Sequence, residues 1–281
     1  MEKTPNKTPV ESLSSDEAKK RELPTTSPNM SCRIFIHELM RQNAMEKIGV
    51  FLDEAEQRDY ATFDSEEDLL ESTREYQDAV SETLSYDEKD ALKNYTGYGY
   101  KYINQFARGI WNYDFLGERT PESISKAESE TQMLTRAIDK APAIGADILT
   151  ARGTNLDSFH GYNVAELADL SSLKGQFFLE TGFTSTAIVH EKGFAGRDLD
   201  DPTREKCNVE ILYMIPGETD DAVALLTDEV SYSPNQTEYL LQKGTLSYIK
   251  EVRVDPEHNS AQLVMMVIPR SIYEQPDKSE V

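Results

Sequence analysis

Apolar positions three and four residues apart open the readable part of the chain. Ile36, Leu39 and Met40, then Ile48, Phe51 and Leu52, keep that rhythm from Ile34 to about Tyr60, which places them on one face of a helix. Leu69, Leu70, Tyr76 and Val80 continue in the same style. Ser85-Tyr86-Asp87-Glu88 then has the form of a capping box, in which Ser and Glu side chains satisfy backbone N–H groups at a helix start. The helix it opens turns Ala91, Leu92 and Tyr95 inward. Acidic polar stretches separate these pieces, so the first half reads as a set of short helices. Near residue 147 the rhythm changes to short runs rich in β-formers: Ile148–Ala151, Gln176–Leu179, Val209–Ile215, Thr237–Leu241, Leu246–Val254 and Gln262–Ile268. Gly, Pro, Asp or Asn punctuates most of the gaps, with Pro216-Gly217 a clear stop. Helices first and strands afterwards predict an α+β domain with a largely antiparallel sheet. There is no internal repeat and no βαβ alternation.

Residues 1–30 change that picture, being rich in Ser, Thr, Pro, Lys and Glu with almost no large apolar side chains. Such a segment cannot bury enough surface to offset its ordering entropy and is expected to be disordered. It lacks the apolar core of a classical secretory signal, leaving an export tag for a dedicated secretion machine or a plain flexible tail. Residues 31–64 read as a helical extension and 272–281 as a C-terminal tail. The 281 residues carry 29 Lys and Arg against 51 Asp and Glu, a net charge of −22. A surface that negative repels phosphate backbones and anionic lipid, which argues against a general nucleic-acid or membrane-surface binder. An anionic ligand needs its own local cluster of cations. With only Cys32 and Cys207 there is no disulfide framework and no CxxC metal knuckle, although one bridge between the two is not ruled out. No apolar run approaches the length of a membrane-spanning helix.

The familiar motifs of nucleotide, zinc and serine-hydrolase chemistry are missing, and His37, His160, His190 and His258 are isolated in sequence, so no metal is expected. What remains is a sparse set of polar residues at strand ends. Arg152 follows an apolar run and precedes Gly153, which would set a permanent cation with a planar donor fork at the mouth of a sheet. Gly182-Phe183-Thr184-Ser185-Thr186-Ala187 offers successive hydroxyls that could orient a carboxylate or a phosphate. If Thr237–Leu241 is a strand, its period of two puts Gln236 and Glu238 on one side and Thr237 on the other. A carboxylate beside a carboxamide there could stabilise positive charge on a sugar ring, as glycosidase carboxylates do. Singly, each has a blander explanation: a salt-bridge arginine, an ordinary turn, an exposed edge strand.

Their order and spacing together resemble the mono-ADP-ribosyltransferase toxins, most strongly the clostridial Rho-modifying exoenzymes of the botulinum subfamily. The segment Tyr86 to Thr96, the Ile103-Asn104 pair followed by Arg108, and Phe194-Ala195-Gly196-Arg197 add further similarity, over about residues 65–271. The resemblance implies two packed, mostly antiparallel sheets with N-terminal helices and NAD as co-substrate in the cleft between them. By similarity, Arg108, Arg152 and Arg197 meet the phosphates or adjoining groups. Asn104, Gly153, Phe183, Ser185, Thr186, Phe194 and Glu238 complete the cofactor site, with Ser185 holding Glu238 in register. Glu238 favours the oxocarbenium ion as nicotinamide leaves, so it serves turnover more than NAD affinity. Gln236 contacts the acceptor, with Tyr232 in its loop. A carboxamide suits an amide acceptor where arginine-modifying relatives carry Glu, which points to a side chain other than arginine, Asn favoured.

Three departures stand out. Ala187 replaces the third member of a Ser-Thr-Ser, Ser233 stands where the family loop has an aromatic, and Thr96 to Asn104 is one residue longer than the family spacing. The loop change leaves Rho specificity open. The chain is thus expected to be a secreted effector acting in the host cytoplasm on a host protein, a small GTPase among the candidates, with a secretion chaperone as a further candidate partner. An NAD glycohydrolase and a non-enzymatic, degenerate binding module of the same fold are the alternatives.

Overall fold

Residues 44–109, 120–159, 162, 164–192 and 207–274 are described in the computed structural model of the chain. The expected disordered tail, the start of the helical extension and residues 275–281 lie outside them. Helix α1 (Ala44–Ala55) buries Ala44, Ile48, Phe51, Leu52 and Ala55, the apolar stripe read from the sequence. It ends at Ala55, short of the expected Tyr60. The second apolar stretch forms two helices, α2 (Glu66–Ser72) and α3 (Arg74–Thr83), joined at Thr73, whose hydroxyl turns back to the Leu69 carbonyl. Helix α4 (Tyr86–Asn94) starts at the expected capping box: Ser85 accepts from the Glu88 N–H and Glu88 accepts from the Ser85 N–H.

A π-helical segment, Tyr95–Gly99, follows, with non-helical backbone at Gly97, and leads into α5 (Tyr100–Ala107). The backbone at Gly97 (ψ −111°) makes this a kink between two helices, and it falls within the stretch Thr96 to Asn104 that the sequence singled out. Helix α6 (Pro121–Lys140) is the element the sequence reading missed. Its inner face is Ala127, Thr131, Leu134, Ala137 and Ile138. Small and polar side chains hold three of those positions and blur the apolar period, while Thr120 and Pro121 give a sound start signal.

Eight strands follow: β1 (Ile148–Thr154), β2 (Phe177–Glu180), β3 (Thr184–Ala187), β4 (Val209–Ile215), β5 (Ala222–Leu225), β6 (Glu238–Leu241), β7 (Thr245–Asp255) and β8 (Ser260–Ile268). They are hydrogen-bonded in the order β2-β7-β8-β4-β1-β3-β6-β5, all antiparallel except the parallel β4–β8 pair. One seam is narrow. β1 and β3 share a single register pair, Ala151 with Ala187, whereas β1 and β4 are paired along their whole length. The two expected sheets are therefore two strand groups, β2-β7-β8-β4-β1 and β3-β6-β5, joined at one point. β5 was not expected, and within Gly182–Ala187 the last four residues make a strand rather than an ordinary turn.

Two hydrophobic cores result. The larger joins α2 to α6 with the sheet. The smaller seats α1 on Phe177, Leu246, Met266 and Ile268, closed by Tyr273 of the short helix α7 (Arg270–Tyr273). Residues 272 and 273 thus belong to the fold and not to a tail. The extension is also tied by Arg58, whose guanidinium bridges Asp147 and Glu218, and by Ala61, which pairs with Ile148.

Candidate active site

The seam is where the chemistry converges. Ala187 of β3 pairs on one side with Ala151 of β1 and on the other with Glu238 of β6. Ser185, two residues before Ala187, shares its face and is the diagonal neighbour of Glu238. Ala187 puts a methyl group at the junction where Ser would add a hydroxyl.

Glu238 is not presented as strand alternation predicts. Pro234–Gln236 forms a single 3-10 turn, and Thr237 follows it in the left-handed conformation at φ 50°. A threonine there is strained. It is held by full burial and by three bonds: its N–H donates to the Pro234 carbonyl, its hydroxyl accepts from the Val189 N–H and its carbonyl from the Ile188 N–H. β6 begins only after this kink. Gln236 and Glu238 are therefore not partners on one strand face, and Gln236 stands half-buried on the loop side.

Glu238 is buried, and desolvation pushes its carboxyl up to about 7, against the opposing pull of a hydrogen bond from Ser185 and the charge of Arg152. Arg152 lies inside β1, opposite Ile211, rather than at the strand end. The site draws in Arg108 as well. Tyr95 is fully buried and its phenol is raised by burial first and the Glu238 charge second, while Arg152 and Arg108 pull it down. Tyr213 is raised by burial to about 12, with Arg152 and Arg108 again lowering it. Two carboxylates, Glu238 and Glu180, two guanidiniums and two buried phenols thus lie close enough for their charges to act on one another.

A second layer braces this group. Glu180 accepts from Arg108 Nε and Nη2, each at 3.2 Å, and from the Gly182 N–H. Asn104 Oδ1 accepts from the Phe183 N–H at 2.8 Å, and its Nδ2 donates to the Tyr95 hydroxyl. A β-carbon at Gly182 would come within 2.8 Å of Arg108 Nε and 2.9 Å of Asn104 Oδ1, so only glycine admits this approach. Neither Glu180 nor Tyr213 was anticipated, because each acts through the arginines and carries no motif of its own.

Several expected contacts are corrected. Phe183 is 0% exposed, its ring edge-on to Tyr95 with centroids 5.8 Å apart, so it supports the site from the core and cannot line it. Thr186 faces away from Ser185 and donates to the Tyr239 carbonyl. Asn104 has both amide atoms engaged by protein, which makes it a positioning group. Gly153 pairs with Glu210 beside Arg152. Phe194 and Arg197 lie outside the described residues. Tyr232 is exposed, and its N–H donates to the Thr96 hydroxyl at 2.9 Å.

The same fold occurs in C3stau2 from S. aureus, solved with NAD: 19% identity, TM-score 0.56, covering 76% of this chain and 100% of that one. The Clostridium limosum C3 exoenzyme matches with 16% identity and TM-score 0.55, over 75% of this chain and 98% of its own. An ADP-ribosyltransferase from Clostridium botulinum matches with 16% identity and TM-score 0.56, over 75% and 99%. A search of curated proteins gave no match. Identities this low establish the fold. The family rests on a sequence model described as ADP-ribosyltransferase exoenzyme, which matches residues 73–268, well over half of the 281 positions. The chain belongs to the ADP-ribosyltransferase exoenzyme family.

Proposed function

We propose that this protein transfers the ADP-ribosyl group of NAD to a side chain of another protein, and that the acceptor is not arginine but an amide, Asn first. The observation that carries the reading is the buried Glu238 held by Ser185 beside Arg152. NAD, bound to C3stau2 in its solved structure, supplies the ADP-ribosyl group and nicotinamide as the leaving group. The residues fit such a ligand. Arg152 and Arg108 bring guanidiniums suited to phosphate oxygens into a protein of charge −22. The Glu238 carboxylate can accept from a ribose hydroxyl and opposes positive charge that grows on the sugar as the bond to nicotinamide breaks. Gln236, half-buried just before the Thr237 kink, can donate to and accept from an amide acceptor.

The protein then acts as a secreted effector on a host protein. A small GTPase remains among the candidate targets. No helix among the described residues is long and apolar enough to cross a membrane.

The decisive experiment incubates the full chain with NAD labelled in its adenylate portion and with eukaryotic cell lysate. A discrete labelled protein is expected, with label lost by about a hundredfold or more in Glu238→Gln, as when one electrostatic stabiliser of a transition state is removed. Mass spectrometry should place the ADP-ribose on an amide side chain. Nicotinamide release without protein labelling would instead make water the acceptor.

A further inference from the structure

A cavity of about 370 Å³ opens between the last turn of α5, the helix α6 and the turn that joins β6 to β7. Two cations line it, Arg136 of α6 and Lys243 of the turn. Among the described residues neither charged group has an ion-pair or hydrogen-bond partner, in a chain that carries 51 Asp and Glu. Asp139, one turn beyond Arg136, is taken up instead by the Gln242 amide at 2.9 Å. Lys243 is anchored only through its backbone: its N–H donates to Gln242 Oε1 and its carbonyl accepts from Arg270.

The cavity is polarised along its length. Glu128, which also lines it, precedes Arg136 by two turns of α6, about 12 Å along the helix axis. Its carboxylate accepts from the Gln132 amide at 3.4 Å. Acceptors thus occupy one end and cations the other. The half-buried ring of Phe106 forms a wall between α5 and α6. Thr131 is 5% exposed and its hydroxyl has no hydrogen-bond partner. One turn on, the Thr135 hydroxyl bonds back to the Thr131 carbonyl at 2.8 Å, the usual outlet for a helical hydroxyl. A buried hydroxyl that lines a cavity without such an outlet calls for a partner from outside the protein.

We propose that this cavity is a ligand site separate from the NAD site, and that it takes a phosphate-bearing compound of mononucleotide size. The Arg136 fork and the Lys243 ammonium meet the phosphate. Phe106 offers a face for the base ring, and Glu128 with the Gln132 carbonyl accepts from an amino group on that ring. The volume lies in the ordinary range of small-molecule sites. Lys243 follows β6 at the end opposite Glu238, which sets the site apart from the transferring centre. Its walls nevertheless run into the layer that braces Arg108. Phe106 is two residues before Arg108, and Gly244, next to Lys243, donates its N–H to the Glu180 carbonyl at 2.7 Å. Glu180 is the carboxylate that pairs with Arg108. A ligand in the cavity therefore touches both segments that position this guanidinium, and its binding does not depend on whether NAD is turned over.

The test titrates the full chain with cytidine monophosphate, which shares no base with NAD, and follows binding by calorimetry. Wild type is expected to bind a single equivalent, and to bind cytidine without its phosphate at least about tenfold more weakly. Arg136→Gln and Lys243→Gln, neither at a buried position, should each weaken the nucleotide by about tenfold. Both should release nicotinamide from NAD, with no nucleotide added, within about twofold of wild type. Arg152→Gln should keep nucleotide binding, and saturating NAD should not displace it. No binding by wild type at millimolar nucleotide, or equal binding of cytidine, overturns the site. Binding that persists undiminished in both Arg136→Gln and Lys243→Gln overturns it too. Displacement by NAD together with loss in Arg152→Gln does the same, by placing the nucleotide in the NAD site. A wild type that binds the nucleotide as expected but never cleaves NAD keeps this site and sinks the enzymatic reading alone.

Discussion

Glu238 ionises against its surroundings, and that has consequences in both rate and stability. Its carboxyl is raised from 4.5 to about 7 chiefly by burial. The folded state binds this proton more tightly than the unfolded chain, so the stabilisation is complete below pH 4.5 and is lost as pH rises through about 7. Wild type should therefore grow less stable from pH 5 to 8, with Asp221, raised by burial to about 6, adding in the same direction. Glu238→Gln keeps the shape and has nothing to ionise. It should melt higher than wild type at pH 8, by a margin on the order of 3 kcal/mol, and match it near pH 5. Calorimetry at the two pH values checks this. Catalysis runs the opposite way, since the carboxylate is the useful form: kcat/KM for NAD should fall as pH drops below about 7. Gly182 gives a second residue-scale prediction. In Gly182→Ala the added methyl must displace Arg108 from Glu180. KM for NAD should rise about tenfold, a loss typical of one guanidinium contact, while the melting temperature changes little. Ser185 and Glu238 were singled out in the sequence, and the fold sets the Ser185 hydroxyl on the Glu238 carboxyl. The placements of Thr186 and Phe183 were not legible there, because alternation along β3 turns the Thr186 hydroxyl away from Ser185, while Phe183 precedes the strand and packs into the core against Tyr95.

Local chemistry decides which elements can be read from sequence. The α4 capping box was visible because a Ser and a Glu three apart satisfy each other's backbone without outside help. Ser85→Ala should cost about 1 kcal/mol in a denaturant melt. Helix α6 was invisible as an amphipathic stripe, because Ala127, Thr131 and Ala137 pack in the core through small side chains and close helix approach. The Gln236–Glu238 arrangement was misread for a related reason. Strand period is a rule about regular backbone, and the left-handed Thr237 interrupts it, its hydroxyl and carbonyl held by partners on the distant segment 188–189. The kink at Gly97 has no local signal, because it packs against Tyr232 on a loop more than a hundred residues away.

At the scale of the whole molecule, α1 is part of the folded body. Ile48 is 1% exposed within a core made of Phe177, Leu246, Met266 and Ile268, which α1 covers. Ile48→Ala should destabilise the protein by about 2–5 kcal/mol, the cost of a core truncation. A segment that served only targeting would leave a urea midpoint unchanged, and that outcome would remove the bracing role. The net charge of −22 likewise acts globally and argues against general polyanion binding, while Arg152 and Arg108 set cations locally on β1 and at the end of α5.

What sequence alone determined is what depends on neighbours along the chain: the division into helices then strands, the capped start of α4 and the stripe of α1. Tertiary structure decided the rest. It joined two strand groups through a single Ala151–Ala187 pair and drew Glu238 out of water beside Ser185 and Arg152. It also set Glu180 on Arg108 and laid the Tyr232 loop on the α4–α5 kink. Each of these is a meeting of segments far apart in sequence. The desolvation and close packing they create have no counterpart in any local window of residues.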